Sequence, residues 1–247
     1  MDCSINWQDI GRAVGPCIRP GGHLLTERAL ALCSIPPGSR IADIGCGAGG
    51  TLEYLERTGD YTLVGLDFSE SLLRNAVTRL KTGYLIQSRA EQLPFKQGAF
   101  DALFCECVLS TLLDRNTALS EFARVIDENG FLIVSDVFSP DYPGPAGSVG
   151  ESQGISTNGF LLKNEILELL RQFGFSIFLW EEHERLVKEF AARMILAGAG
   201  LTDWWGCGPK QNSKNPVKLS YFLLLARKSA AAVQSIENQG DSQSWTI

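Results

Sequence analysis

The stretch Ile41–Gly50, "IADIGCGAGG", decides the fold, and it spells two ligand patterns at once. Gly45, Gly47 and Gly50 satisfy G-x-G-x-x-G, the spacing that lets a backbone approach a pyrophosphate, while Asp43, Gly45, Gly47 and Gly49 satisfy D-x-G-x-G-x-G. The apolar residues before the glycines read as a strand and those after as a helix.

Outward from this turn the hydrophobic period keeps switching between two residues and 3.6. Strands are expected at Arg40–Ile44, Thr62–Leu66, Tyr84–Gln87, Ala102–Cys105, Phe131–Ser135, Phe175–Trp180 and Leu219–Ala226. Helices are expected at Leu24–Cys33, Ser69–Leu80, Thr117–Ile126 and Glu165–Phe173, the last stopped by Gly174. Strands alternating with helices predict an α/β fold, a doubly wound and mainly parallel sheet. Such sheets bind ligands beyond the carboxyl ends of their strands, where the strand order reverses.

Residues 1–228 are expected to form one domain, with residues 1–37 as a lid before the first strand. The Pro/Gly/Ser-rich run 139–158, "SPDYPGPAGSVGESQGISTN", reads as a covering loop, and 229–247 as a disordered tail. A chain of 247 residues, 45% of them hydrophobic, can bury a sizeable core. Its formal charge of -6 and lack of a dense basic block speak against a nucleic-acid partner, which would need cations to displace phosphate counterions. With no apolar run near the ~20 residues that span a bilayer and no leader pattern, the expectation is a cytoplasmic protein without a membrane partner. The seven cysteines, Cys3, Cys17, Cys33, Cys46, Cys105, Cys107 and Cys207, are irregularly spaced and include no C-x-x-C pair, so free thiols and no metal site are expected.

Charge separates the two ligand patterns. A pyrophosphate laid on the helix N-terminus wants no carboxylate beside it, whereas Asp43 would attract an ammonium or a sulfonium. S-adenosylmethionine carries both cations and no phosphate. Asp67, at the end of "LVGLD", suits the ribose hydroxyls of either cofactor and could instead cap the helix that starts near Glu70. An NAD-dependent reductase and a cofactor-binding protein without catalysis remain as alternatives.

"ADIGCGAGG", "GLDFS", "AEQLPF", "FDALFCECVLSTL" and "RVIDENGFLIVSD" stand in an order and spacing that resembles the class I S-adenosylmethionine-dependent methyltransferases. The likeness is to the branch with the ubiquinone/menaquinone-biosynthesis and arsenite methyltransferases. It implies a seven-stranded Rossmann-like sheet with an antiparallel last strand, here "LSYFLLLAR". It also implies cofactor contacts at Asp43, Gly45, Cys46, Gly47, Asp67, Phe68 (on the adenine), Ala90, Glu91 and Cys105. Arg89 departs from the family, which has an acid there to receive the adenine amino group; a guanidinium cannot accept that bond. Glu91 would then take over, or Arg89 would stack on the ring or turn to solvent.

Methyl transfer is an in-line displacement that needs alignment, exclusion of water and, for a protonated nucleophile, a base. Candidates beside the acceptor are Glu106, Cys107, His23 and Tyr142, with Trp204, Trp205 and Cys207 as a possible clasp, interface or core corner. His183 is expected on the solvated face of an amphipathic helix. Strand alternation puts Cys105 and Cys107 on one side and Glu106 on the other. The expected acceptor is a small molecule. Cys107-Val108 also matches a cysteine of the arsenite enzymes, but Ser152 and Thr51 stand where that family has its other thiols, and soft ions need several together.

Overall fold

Arg40–Ile44 forms β1, buried from Ile41 onward, with β2 (Thr62–Asp67) parallel on one side and β4 (Phe100–Glu106) parallel on the other. Strands flanked on both edges and covered on both faces favour apolar residues at every position, and these three are buried almost throughout rather than on alternate residues. Added to them are β3 (Tyr84–Gln87), β5 (Ile126–Phe138), β6 (Phe175–Glu182) and β7 (Ser220–Lys228), in the order β3-β2-β1-β4-β5-β7-β6. β7 runs antiparallel to both of its neighbours. The computed structural model describes residues 17–140, 161–196 and 219–229, and these make the doubly wound sheet expected.

Six helices among the described residues form the outer layers. α1 (Leu24–Cys33), α2 (Gly50–Thr58), α3 (Glu70–Val77) and α6 (Glu184–Leu196) bury Leu25, Leu52, Leu73 and Phe190 against one face. α4 (Arg115–Val125) and α5 (Lys163–Gln172) bury Phe122 and Leu170 against the other. α1, β1 and β3 keep the expected limits. The helix expected from Ser69 starts one residue later, because Ser69 is its cap and accepts from Leu72 N at 3.4 Å. β5 starts at Ile126 rather than Phe131, since Ile126 already pairs with Phe100 ahead of a register shift.

The chain leaves β1 toward β2 on one side and returns to β4 on the other. The strand order therefore reverses between β1 and β4, and the crevice at their carboxyl ends is where a ligand is expected.

Candidate functional site

The glycine loop occupies that crevice. Gly45, Gly47 and Gly49 have φ of 70°, 53° and 80°, a left-handed backbone that glycine adopts without strain. Gly45 N and Cys46 N both donate to Leu66 O, at 2.7 and 2.9 Å, which fixes the loop to the end of β2. A Cβ on Gly45 would lie 2.2 Å from Val108 Cγ2, so the loop rests directly on the segment that follows β4. At Gly47 a Cβ would meet nothing within 4 Å, and the space above it is open.

Asp43, next to last in β1, is only 2% exposed, and its Oδ2 is buried with no hydrogen-bond partner among the described residues. Burial, then the nearby Glu106, push its carboxyl well above the usual range, against the pull of Arg19. A buried carboxylate in that position wants either a proton or a cation. Asp67 is buried at the end of β2, where Oδ2 accepts from Gly47 N at 2.9 Å and Oδ1 from Ser69 N at 2.8 Å. Burial raises its pKa while these N–H groups lower it. Asp67 is not the helix cap, which is Ser69; it holds the cap's own N–H instead, and each of its oxygens keeps a lone pair.

Phe68, next in sequence, is 66% exposed, its carbonyl held by Gln87 Nε2 at 3.0 Å. Ser88 N donates to Asp67 O at 3.1 Å, which draws the segment after β3 to the same edge. On that segment Ala90 is buried, and Arg89 turns to solvent with its Nε 3.5 Å from Glu91 Oε2.

A second polar group escaped the sequence reading. Arg19 is buried and ion-paired to Glu106 Oε2 at 2.5 Å. Its Nη1 donates to Thr51 Oγ1 and its Nη2 to Thr26 Oγ1, both at 2.6 Å. Thr51 and Thr26 in turn donate to Glu106 Oε2 and Oε1, at 2.7 and 3.0 Å. Thr51 lies 32 residues and Glu106 55 more along the chain, separations that no periodicity links. Nearby, His23 stacks on Tyr54 with ring centroids 4.7 Å apart and lies 3.3 Å from Cys17 Sγ through Nε2. Burial, helped by Arg19, lowers the His23 pKa, and burial lifts Cys17 to about 11.

Two expectations fail here. Cys105 joins the apolar cluster under α4, whereas Cys107 packs with the cluster on the opposite face. Alternation breaks because Cys107 itself is left-handed, with φ 57°, as the strand ends and its N donates to Ser135 O at 2.7 Å. Its thiol meets Tyr221 Oη at 3.0 Å, and burial raises both cysteines well above the ordinary thiol range. Cys105 has no exposed surface and supports the wall from within. His183, expected on a helix face, instead precedes α6, where its N donates to Tyr221 O at 2.7 Å. Asp136, at the end of β5, holds the loop after β4 by accepting from Ser110 N at 2.8 Å and Ser110 Oγ at 2.7 Å. Burial lifts its pKa to about 6. Tyr142, Ser152, Trp204, Trp205 and Cys207 lie outside the described residues, as do residues 1–16, 141–160 and 230–247.

An orphaned buried anion, an open glycine floor, an acid with free lone pairs and an exposed aromatic fit a cationic adenosyl ligand and oppose a pyrophosphate. Residues 42–134 match the methyltransferase domain model. An 18S rRNA (guanine N7) methyltransferase of Saccharomyces cerevisiae is 36% identical over 98 residues, 39% of this chain and 36% of that enzyme. An uncharacterised methyltransferase of Synechocystis is 30% identical over 150 residues, 58% of this chain and 70% of the relative. A ubiquinone/menaquinone biosynthesis C-methyltransferase of Campylobacter jejuni is 26% identical over 166 residues, 56% and 71% of the two chains. Among solved structures, the 4+2 cyclase SpnF superposes with a TM-score of 0.74 at 22% identity, covering 91% of this chain and 93% of its own. A Haemonchus contortus phosphoethanolamine N-methyltransferase 2, with phosphomonomethylethanolamine and S-adenosylhomocysteine, gives 0.67 at 20% identity over 90% and 56%. These likenesses, on a fold with this strand order and this loop, place the chain among the class I S-adenosylmethionine-dependent methyltransferases.

Proposed function

We propose that this methyltransferase acts on a small organic acceptor and that Asp43 is the counter-ion of the methionine ammonium. The observation that carries this reading is the buried Asp43 Oδ2 without a partner, at the point where strand order reverses. Gly45, Cys46 and Gly47 floor the methionine end, Asp67 accepts from the ribose hydroxyls, and Phe68 packs on the adenine beside Ala90, with Glu91 at its edge. Bound there, the cofactor supplies an electrophilic methyl on a sulfonium. The chain aligns the acceptor against it and excludes water. Glu106 has both oxygens engaged by Arg19, Thr26 and Thr51, which leaves it a structural part. His23, kept neutral by its lowered pKa, is the candidate base for an acceptor that carries a proton.

Support for an organic acceptor comes from the quinone-pathway relative and from the thiols. Cys105 and Cys107 lie on opposite faces of the sheet, so the two do not converge on one arsenic atom, and among the described residues no cluster of metal-ligating side chains occurs. The test has two steps. S-adenosylhomocysteine should raise the melting temperature and NAD should not, because a ligand of the native state alone stabilises it by mass action. Methyl-labelled donor is then offered with polyhydroxylated aromatics, with arsenite and with ribosomal RNA. Label in an aromatic supports the proposal; label only in RNA or arsenic overturns it.

A further inference from the structure

The ring around Arg19 has a form that fold stability does not explain. A buried ion pair rarely adds net stability, since desolvation of the two charges offsets their attraction, and apolar replacements often serve as well. What this ring does supply is position. Each threonine hydroxyl accepts from Arg19 and donates to Glu106, closing a four-residue circuit. Thr26 belongs to α1, Thr51 to the first turn after the glycine loop, and Glu106 to the end of β4. The circuit therefore joins the segment before α1 to the donor loop and to the acceptor wall. That segment is held a second time: Arg19 Nε donates to Gly22 O at 2.7 Å, and Gly21, at φ 78°, lets α6 approach until a Cβ would lie 2.8 Å from Leu186 Cδ1. Through Glu106 and Thr51, Arg19 ties the segment to the carboxyl end of β4 and to the first turn after the glycine loop that follows β1.

We propose that Arg19 is a positioning residue of the donor pocket: its ring with Thr26, Thr51 and Glu106 fastens residues 17–23 across the switch point, and opening of this ring lets the spent cofactor leave. The proposal rests on the donor-binding reading of the site. It assigns Arg19 to the dissociation step, because an interaction that holds a cover closed slows escape more than entry. It also assigns the members to one unit, so their effects should not multiply.

Stopped-flow binding of S-adenosylhomocysteine measures both rates. Arg19→Met should raise the dissociation rate about tenfold and change association less than about threefold, the pattern of affinity set by escape. Glu106→Gln should act similarly, and the double variant should be no faster than the faster single one. Thr51→Val, which preserves shape and removes two bonds, should give about a threefold increase by the same route and decides the matter if Arg19→Met does not fold. Arg28→Met breaks an exposed pair of α1 with Glu181 and should leave both rates as in the wild type. Wild-type dissociation in a folded Arg19→Met or Thr51→Val, or multiplying effects in the double variant, overturns the inference. A wild-type protein that does not bind S-adenosylhomocysteine defeats the donor reading instead, so the two failures are told apart.

Discussion

The two ends of the sheet treat the same kinds of charge in opposite ways. At the amino ends of β1 and β4, Arg40 grips Asp101 with Nη2 at 2.6 Å and Nε at 3.1 Å, and the guanidinium holds the Asp101 carboxyl below its usual range. Glu121 is likewise lowered by Arg124, which also caps Leu93 O and Phe95 O. At the carboxyl ends, Asp43, Asp67 and Asp136 are all raised, with burial as the largest cause. Acids with wet, paired surroundings stabilise the fold modestly, while acids held dry and short of partners store affinity for something else. The acids at one end are thus wet and ion-paired, while those at the other are dry, and of these Asp43 alone keeps an oxygen without a hydrogen-bond partner among the described residues.

The sharpest way to break this contrast is at Asp43. Asp43→Asn should weaken S-adenosylhomocysteine binding at least about 100-fold, within the ~2–5 kcal/mol lost when one partner of a buried charge pair is removed. The same change should leave the melting temperature equal or higher, because it replaces a carboxyl whose ionisation burial disfavours. Calorimetry and thermal melting report the two effects, and retained affinity would move the ammonium elsewhere. Asp67→Ala follows, with a loss of about 1.5–3 kcal/mol in affinity, the usual worth of hydrogen bonds to a charged acceptor. Unchanged affinity would mean that the ribose is held by other groups.

Acidity gives a smaller and graded effect. Asp43 faces Glu106, Asp67 and Arg19, and with its pKa raised it carries a proton in the free protein over a wider range than an ordinary acid. Ligand binding should therefore release that proton. Affinity should fall as pH drops below the raised pKa, by up to about tenfold per pH unit. Calorimetry across a pH series, in buffers of different ionisation enthalpy, would detect the released proton on the acid side; affinity that stays level as pH falls would sink the assignment. Stability runs with opposite signs at the two ends. For Asp136, raised from 3.8 to about 6, the folded state holds its proton more tightly, so its contribution declines as pH rises through that window. For Asp101, lowered by Arg40, the contribution is present above its unfolded pKa and is lost as pH falls through the folded one. The smallest effect is expected from Arg40→Met: about 1 kcal/mol of stability or less for a partly exposed pair, with ligand affinity unchanged. A change in affinity there would mean that the two ends communicate.

How much of this was legible in the sequence depends on distance along the chain. The glycine loop, Asp43 and Asp67 were readable because a strand, a turn and a helix start are local events with local signatures. β1 and α1 were readable to the residue for the same reason. Arg19 was not, since its partners Thr51 and Glu106 reach it only through the sheet, and an arginine in "RPGG" carries no periodic signal. Asp136 follows a hydrophobic run near the carboxyl end of its strand, much as Asp43 and Asp67 do, and that position was the available clue to it. The shared face expected of Cys105 and Cys107 failed because period-two logic stops with the strand at Glu106, and Cys107 itself leaves it with a left-handed backbone.

The contact between Gly45 and Val108 bears on how such a pocket can diversify. With 2.2 Å between Val108 Cγ2 and the place a Cβ on Gly45 would take, position 45 cannot gain a side chain while Val108 stays. A lineage that gave position 45 a side chain would have to move the segment after β4 in the same step. Innovation is thereby steered to walls that do not touch the glycine loop, and an engineer who wishes to alter selectivity without loss of cofactor should randomise those first.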